Sequence, residues 1–290
     1  MAKLHLGMDG GGTNCRARIR DEAGTLLAEA EGGLANIHQD FSGALAAILA
    51  TAQAAAARAG VETVALHAGL GLAGATGPEQ CARVAQAGLP FASIAVDSDG
   101  CAACLGAHGG ADGGIVIAGT GSAGFALIGG KRFSIGGHGF TLGDQGSGAV
   151  MGRELLRRAL LAHDGILPHS PLTREIVARF RDTPSRMIDW SRGVLSRDYA
   201  AFAPEILAAA KAGDANATTL VAESAEGIAA LARQLQRAGT PRLSLIGGLG
   251  AAMLAFLPPD VTGLFHPALA DPVDGAILMA KAATIARKSP

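Results

Sequence analysis

The apolar positions of the first hundred residues change period several times. KLHLGMD (3–9) is a short apolar run, CRARIRD (15–21) alternates residue type with period two, and TLLAEAE (25–31) does so more loosely. With a turn at Glu22–Gly24, these stretches predict three strands. Phe41–Arg58 is alanine-rich, sets Leu45, Ile48 and Leu49 on one face and predicts a helix, after which TVALHAGL (63–70) returns to strand. Gln80–Ala87 predicts a helix, SIAVD (93–97) a strand, and CAACLGAH (101–108) a short helix with Asp99 as candidate N-cap.

The pattern begins again at GGIVIAGTGSAGFALIGG (113–130), where an apolar strand runs into a glycine-rich turn and out along a second apolar strand. Helices are predicted at Gly148–His163, Leu172–Phe180, Tyr199–Ala212 and Ala215–Ala238, followed by the strand RLSLIGG (242–248). DGAILMAKAATIAR (274–287) closes the chain as a helix. The alternation predicts an α/β protein with an internal duplication. No low-complexity linker separates the halves, so 111–114 reads as a hinge between domains 1–112 and 113–290, with the closing helix 274–288 packing back on the first.

Composition narrows the class. The 290 residues are 49% hydrophobic and 17% charged, with no uninterrupted apolar run long enough to span a membrane, so a packed soluble protein is expected. MAKLHLGMDGGG has no basic segment followed by a long apolar core, which predicts no signal peptide and a cytoplasmic location. With 24 basic against 25 acidic residues and no basic run, nucleic acid is not an expected partner, nor is a membrane. Four cysteines (Cys15, Cys81, Cys101, Cys104) fit a reducing compartment. Cys101 and Cys104 form a CxxC that no second cysteine or histidine pair completes, so they are expected to be small buried side chains. The histidines show no metal-binding spacing, and Trp190 is expected to pack a helix, with no stacking platform evident around it.

Two glycine turns carry the candidate chemistry. GTGSAG (119–124) matches GxGxxG, and Asp144 falls twenty residues after its last glycine, but FALIGG continues as strand where a dinucleotide site needs a helix. No GxxxxGK[ST] is present. What remains is a pair of strand–turn–strand hairpins, at MDGGGTN (8–14) and GTGS (119–122), whose tips lack side chains but carry hydroxyls at Thr13, Thr120 and Ser122. Backbone N–H groups in such turns bind anions, and the pair points to a nucleotide's phosphates.

DGGGTN (9–14), IAGTGS (117–122) and LIGGLG (245–250) resemble the first phosphate, second phosphate and adenosine motifs of the actin, hexokinase and heat-shock ATPase superfamily. The similarity is to its branch of N-acetylglucosamine kinases, glucosamine kinases and dehydratase-activator ATPases, and it runs nearly end to end. GDQGSG (143–148), CLGAH (104–108), HDGILPHSPL (163–172) and SRDYAAFAP (196–204) are similar to bacterial glucosamine kinases in particular.

The resemblance implies two ribonuclease-H-like domains, the duplicated actin-like ATPase fold, with a cleft that closes over the substrate. It further implies ATP and Mg2+ as cofactors, an amino sugar as acceptor and a homodimer. Gly10, Gly11, Gly12, Thr13, Asn14, Gly119, Thr120, Gly121 and Ser122 would then bind phosphate, and Gly247, Gly248 and Gly275 the adenosine. Asp9 would hold the water shell of Mg2+. Asp97 stands where the family has its catalytic base; Asp99, two residues on, competes for that role. Asn36, Asp97, Thr120, Gly137, His138 and Asp144 would meet the sugar, although Asn36 and Asp144 also read as turn residues.

His138 stands where N-acetylglucosamine kinases of this branch tend to have tryptophan, which favours glucosamine, with N-acetylglucosamine as the alternative acceptor. A dehydratase activator would need a cysteine beside the GDQGSG loop, which has none. A sugar-sensing module would need a DNA-binding extension ahead of a first strand that opens the chain here.

Overall fold

The structure is a computed structural model that describes residues 3–12 and 14–286. Thr13 lies outside the described residues. The chain divides into two compact units: one holds residues up to Gly113, Ala126–Lys131 and the chain from Pro267 onward, and the other holds Gly114–Phe125 and Arg132–His266. No helix is long and apolar enough, among the described residues, to cross a membrane.

Unit 1 is built on β1 (Leu4–Gly10), β2 (Cys15–Arg20), β3 (Leu26–Gly32), α1 (Phe41–Ala59), β4 (Leu66–Leu72), α2 (Pro78–Ala85), β5 (Ser93–Ser98) and α3 (Asp99–His108). Its sheet has the order β3-β2-β1-β4-β5, with β2 antiparallel to both neighbours and β1, β4 and β5 parallel. The fully buried Leu6, Met8, Ile19, Leu70 and Leu72 share one core with Ile48, Ala52 and Ala55 of α1. Alternate residues of β1 and β4 face the opposite way, where the backbone of the closing helix comes so close that a Cβ on Gly69 would lie 1.8 Å from the Ala276 carbonyl oxygen. Asp40 caps α1 through the Gly43 N–H, and left-handed Gly60 ends it.

The helix predicted behind Asp99 starts at Asp99 itself. Its cap is Ser98, whose hydroxyl accepts from the Cys101 N–H at 3.1 Å, because Ser98 still has extended dihedrals while Asp99 is already helical.

Unit 2 carries a second sheet in the order β8-β7-β6-β9. Its strands are β6 (Gly113–Ala118), β7 (Ser122–Ile128), β8 (Lys131–Gly136), which the sequence pattern did not predict, and β9 (Leu243–Ile246), parallel to β6. Six helices follow β8: α4 (Gly148–His163), α5 (Pro171–Arg179), α6 (Pro184–Arg192), α7 (Ser196–Ala200), α8 (Ala203–Lys211) and α9 (Ala215–Arg237). The single helix predicted over 199–212 is two, because Pro204 has no N–H to continue a helix from α7 and instead opens α8. The short α10 (Gly250–Met253) and α11 (Pro259–Thr262) follow β9, and α12 (Pro272–Ala286) packs on α3, β1 and β4 of unit 1.

Candidate active site

In unit 1 the pairing of strands sets Asp9, Gly71 and Asp97 in one row across β1, β4 and β5. Paired positions face the same side of a sheet, and two strand spacings separate Asp9 from Asp97 by roughly 10 Å. The row lies at the carboxyl ends of parallel strands, where open α/β sheets bind their ligands. Gly71 has no side chain because a Cβ there would meet the Ala102 Cβ at 2.4 Å.

Asp97 is 9% exposed and accepts the Ser98 N–H at 2.8 Å. Asp99 accepts the Gly100 N–H at 2.8 Å; burial, with the charge of Asp9 added, pushes its carboxyl above the ordinary range despite that bond. Asp9 pairs across the strands with Arg16, whose Nη2 lies 2.7 Å from its Oδ2, and Arg16 also faces Asp271 at 3.7 Å. Sequence reasoning missed this ion pair. The signal was present, since Arg16, Arg18 and Arg20 alternate along β2 on the face that meets Asp9, Asp271 and Asp274.

The first glycine turn is closed by the Gly11 N–H donating to the Asn14 carbonyl at 2.9 Å. Gly10 lacks a side chain for internal reasons, since a Cβ would meet Leu72 and Ala35. Gly12 has no such reason: a Cβ there would meet nothing within 4 Å, and its backbone does not require glycine. That open position fits a ligand's close approach. Asn36 spends its carbonyl oxygen on an Asx turn, accepting the N–H groups of His38 at 2.9 Å and Gln39 at 3.3 Å, and keeps its amide NH2 as a donor.

In unit 2 the second glycine turn and the adenosine motif sit together at the carboxyl ends of β6 and β9. A Cβ on Gly119 would lie 3.8 Å from the Gly248 nitrogen, and Gly248, like Gly12, faces open space. Gly247 is glycine because its φ is +96° and a Cβ would come within 2.4 Å of the Ala118 carbonyl oxygen. The turn also holds the start of α4, since the Gly148 and Ala149 N–H groups donate to the Gly119 and Thr120 carbonyls at 2.8 and 3.2 Å. Thr120 is exposed. Ser122 differs from the sequence expectation: it is 4% exposed, and its hydroxyl donates to the Gln145 carbonyl at 2.7 Å, tying the 143–147 loop to the hairpin.

Asp144, 9% exposed, has left-handed dihedrals with φ +62°. Its carboxylate lies over Gly121, where a Cβ would be 2.9 Å from Oδ2. Burial pushes the Asp144 carboxyl up, opposed by N–H groups of Gly139 and Ser122 and by the charge of His138. His138 is exposed beside it, and Gly137 donates to the Ser122 carbonyl at 3.1 Å. Gly275 lies on α12 in unit 1, and Gly247 and Gly248 belong to unit 2; the missing side chain of Gly275 is accounted for by the Ala102 carbonyl oxygen, 1.8 Å from where a Cβ would be.

Comparison with known proteins bears on the family and the fold. Residues 6–258 match the BadF/BadG/BcrA/BcrD ATPase family. Over 279 residues the chain is 40% identical to the glucosamine kinase GspK of Vibrio cholerae, covering 95% of each protein. A putative N-acetylglucosamine kinase from Chromobacterium violaceum superposes with a TM-score of 0.87 at 35% identity, over 96% of this chain and 99% of that one. A ROK family glucokinase from Streptomyces griseus, solved with glucose and AMPPNP, aligns at a TM-score of 0.54 and 20% identity over 99% of this chain, a likeness of fold alone. The two-sheet architecture is thus the duplicated actin-like ATPase fold, and the chain belongs to the BadF/BadG/BcrA/BcrD ATPase family.

Proposed function

We propose that the chain is an ATP-dependent amino-sugar kinase that transfers the γ-phosphoryl group of ATP to the 6-hydroxyl of glucosamine. The observation that carries the reading is the 40% identity, over 95% of the chain, to a glucosamine kinase. Three glycine segments with open positions at Gly12 and Gly248 support it as places where phosphate and nucleoside can approach the backbone.

Phosphoryl transfer asks the protein for alignment, charge neutralisation and one proton acceptor. In this reading Asp97 accepts the proton of the sugar 6-hydroxyl while that oxygen bonds to the γ-phosphorus, and the bond from the γ-phosphorus to the bridging oxygen breaks to release ADP. Asp144, His138 and the Asn36 amide hold the sugar; Gly137 and Thr120 border it. Backbone of Gly10–Gly12 with Thr13 and Asn14, and of Gly119–Gly121, cradles phosphate, and Gly247 and Gly248 lie along the adenosine. Ser122 shapes the second turn from behind.

Mg2+ would neutralise charge on the phosphates. Asp9 suits it, because magnesium keeps most of its waters and takes only one or two carboxylates. Arg16 keeps that carboxylate oriented. The reading carries with it a cytoplasmic, homodimeric enzyme of amino-sugar catabolism.

The alternative acceptor is N-acetylglucosamine, favoured by the C. violaceum likeness. An iron–sulfur-carrying dehydratase activator fits less well, because the GDQGSG loop (143–148) has no cysteine beside it. A panel of amino and neutral hexoses with ATP and Mg2+, scored for ADP release and for the phosphorylated position by NMR, tests the proposal. Glucosamine 6-phosphate as the main product supports it; ADP release independent of every sugar overturns it.

A further inference from the structure

The chain has one tryptophan, one tyrosine and nine phenylalanines. The tryptophan and the tyrosine share one cluster in unit 2 with three of the phenylalanines. Trp190 meets Phe180, Tyr199 and Phe202 edge-on at centroid distances of 5.9, 5.2 and 5.8 Å, and Tyr199 meets Phe140 at 5.0 Å. Four of the five belong to the helical segment α5–α8 or its ends. Phe140 alone comes from the loop between β8 and α4, the loop that carries His138 and Asp144.

The ends of that loop are tied to the hairpin, where the Gly137 N–H donates to the Ser122 carbonyl and the Ser122 hydroxyl to the Gln145 carbonyl, and Phe140 anchors its middle. Gly136, Gly137, Gly139 and Gly146 all have positive φ, so the free chain samples many shapes. Thr141 is exposed and Leu142 is 85% exposed. A backbone bond from the Gly143 N–H to the Gly139 carbonyl at 2.8 Å closes a small ring, with Phe140 inside it and His138 and Asp144 flanking it. Phe140 is held at two points. Its ring lies against Tyr199, and Arg153 of α4 donates to its carbonyl at 3.3 Å while setting a guanidinium 5.2 Å over the ring. Tyr199 cannot retreat, because α7 is seated on α4 at Gly152, where a Cβ would lie 1.9 Å from the Tyr199 carbonyl oxygen.

We propose that Tyr199 is a positioning residue for the acceptor sugar: through Phe140 it fixes the loop that presents His138 and Asp144, and so sets sugar affinity without touching the sugar. The proposal rests on the reading of that loop as the sugar loop. It also gives the SRDYAAFAP segment (196–204) a task that the glycine motifs leave open. The hydroxyl is secondary, since it reaches the Ser191 carbonyl only at 3.4 Å; the ring carries the effect.

Calorimetry of glucosamine and of ADP on the full chain, beside KM and kcat, tests it. Tyr199→Phe should keep the glucosamine Kd within about twofold, and Tyr199→Leu should raise it about tenfold to a hundredfold with the ADP Kd unchanged, the scale expected of a loop displaced by about 1 Å. Phe202→Leu, which loosens the far side of the cluster, should lower the thermal midpoint and leave glucosamine affinity alone. Should Tyr199→Leu fail to fold, Phe140→Leu removes the same contact from the loop side. An unchanged glucosamine Kd in Tyr199→Leu or Phe140→Leu, or an equal loss in Phe202→Leu, overturns the proposal. Asp144→Asn separates the two levels: if it leaves glucosamine affinity intact the sugar-loop reading falls, whereas if it weakens binding while Tyr199→Leu does not, only the positioning role falls.

Discussion

Gly11 closes its turn by donating to Asn14, while Gly119 closes the corresponding turn of the other sheet by donating to Gly121 and gives its own carbonyl to the first amide of α4. The surroundings differ further. The first turn is flanked by charge: Asp9 in its pair with Arg16, then Asp97 on β5, two strands away, and Asp99 at the start of α3. The second is flanked by backbone joints and by the buried Asp144 that lies over Gly121. In the proposed reading one strand–turn–strand pattern serves two jobs: unit 1 would handle metal and proton, and unit 2 would fix shape through turns, caps and ring contacts. Substitutions of the carboxylates in the first should change rates, and substitutions in the second should change binding and stability.

The largest effect expected is in unit 1. Asp97→Asn should lower kcat by ~10² to 10⁴, the range for losing a positioned base, while calorimetric glucosamine binding largely survives. Near-normal turnover would remove the proton-handling half of the contrast.

Unit 2 should break at its caps. Asp214, 8% exposed, caps two helices at once, accepting the Leu172 N–H of α5 at 2.9 Å and the Ala217 N–H of α9 at 3.0 Å. Asp214→Ala should cost about 2–3 kcal/mol in chemical denaturation, the sum of two lost caps. Burial pushes the Asp214 carboxyl up but is outweighed by the donors from Ala217, Leu172 and Ser170, so its folded value is lowered. The stability it contributes is then complete above the unfolded value of about 3.9 and lost as pH falls through the lowered one. The gap between parent and variant should close over that acid range and stay constant above it.

Glycines sharpen the comparison at the next level. Gly12→Ala and Gly248→Ala add a methyl to open space, so both should fold normally and raise the ATP KM about tenfold through lost backbone approach. Gly247→Ala should instead destabilise unit 2 by about 1–3 kcal/mol, because its φ is +96° and the methyl meets the Ala118 carbonyl. Thermal melts beside nucleotide titrations separate the two kinds of glycine. The smallest effect is assigned to the CxxC: Cys101→Ser and Cys104→Ser should stay within a few-fold of the parent's activity, since both are buried and the Cys104 thiol donates to the Gly113 carbonyl.

Strong periodicity and glycine punctuation made most elements legible from the chain; β1, β2, α1, α4 and α9 begin or end within a residue or two of where the pattern put them. What escaped lies where local signals are short or cancelled. β8 is a six-residue edge strand between glycines, largely exposed and so without the alternation that marks a buried face. α6 has a single buried residue, Met187, and only Pro184 at its start to announce it. Side-chain commitments were less legible than positions. Ser122 reads as a phosphate ligand, yet it spends its hydroxyl on the Gln145 carbonyl, a choice made by a tertiary neighbour, and the cap expected of Asp99 is made by Ser98. The ring contact of Tyr199 with Phe140 spans 59 positions of sequence; only the rarity of aromatic residues hinted at it.

The most direct test of the central claim is kcat/KM for glucosamine and for N-acetylglucosamine, measured with ATP and Mg2+ at pH 7 and again at pH 9. A sugar amine with a pKa of roughly 8 is mostly cationic at pH 7 and is suited by a carboxylate such as Asp144, whereas an acetamido group wants a small apolar niche for its methyl. Replacing the amine with an acetamide leaves polar groups unpaired, which can cost several orders of magnitude. The account predicts a strong preference for glucosamine at pH 7 that narrows at pH 9; equal or better use of N-acetylglucosamine at pH 7 would contradict it.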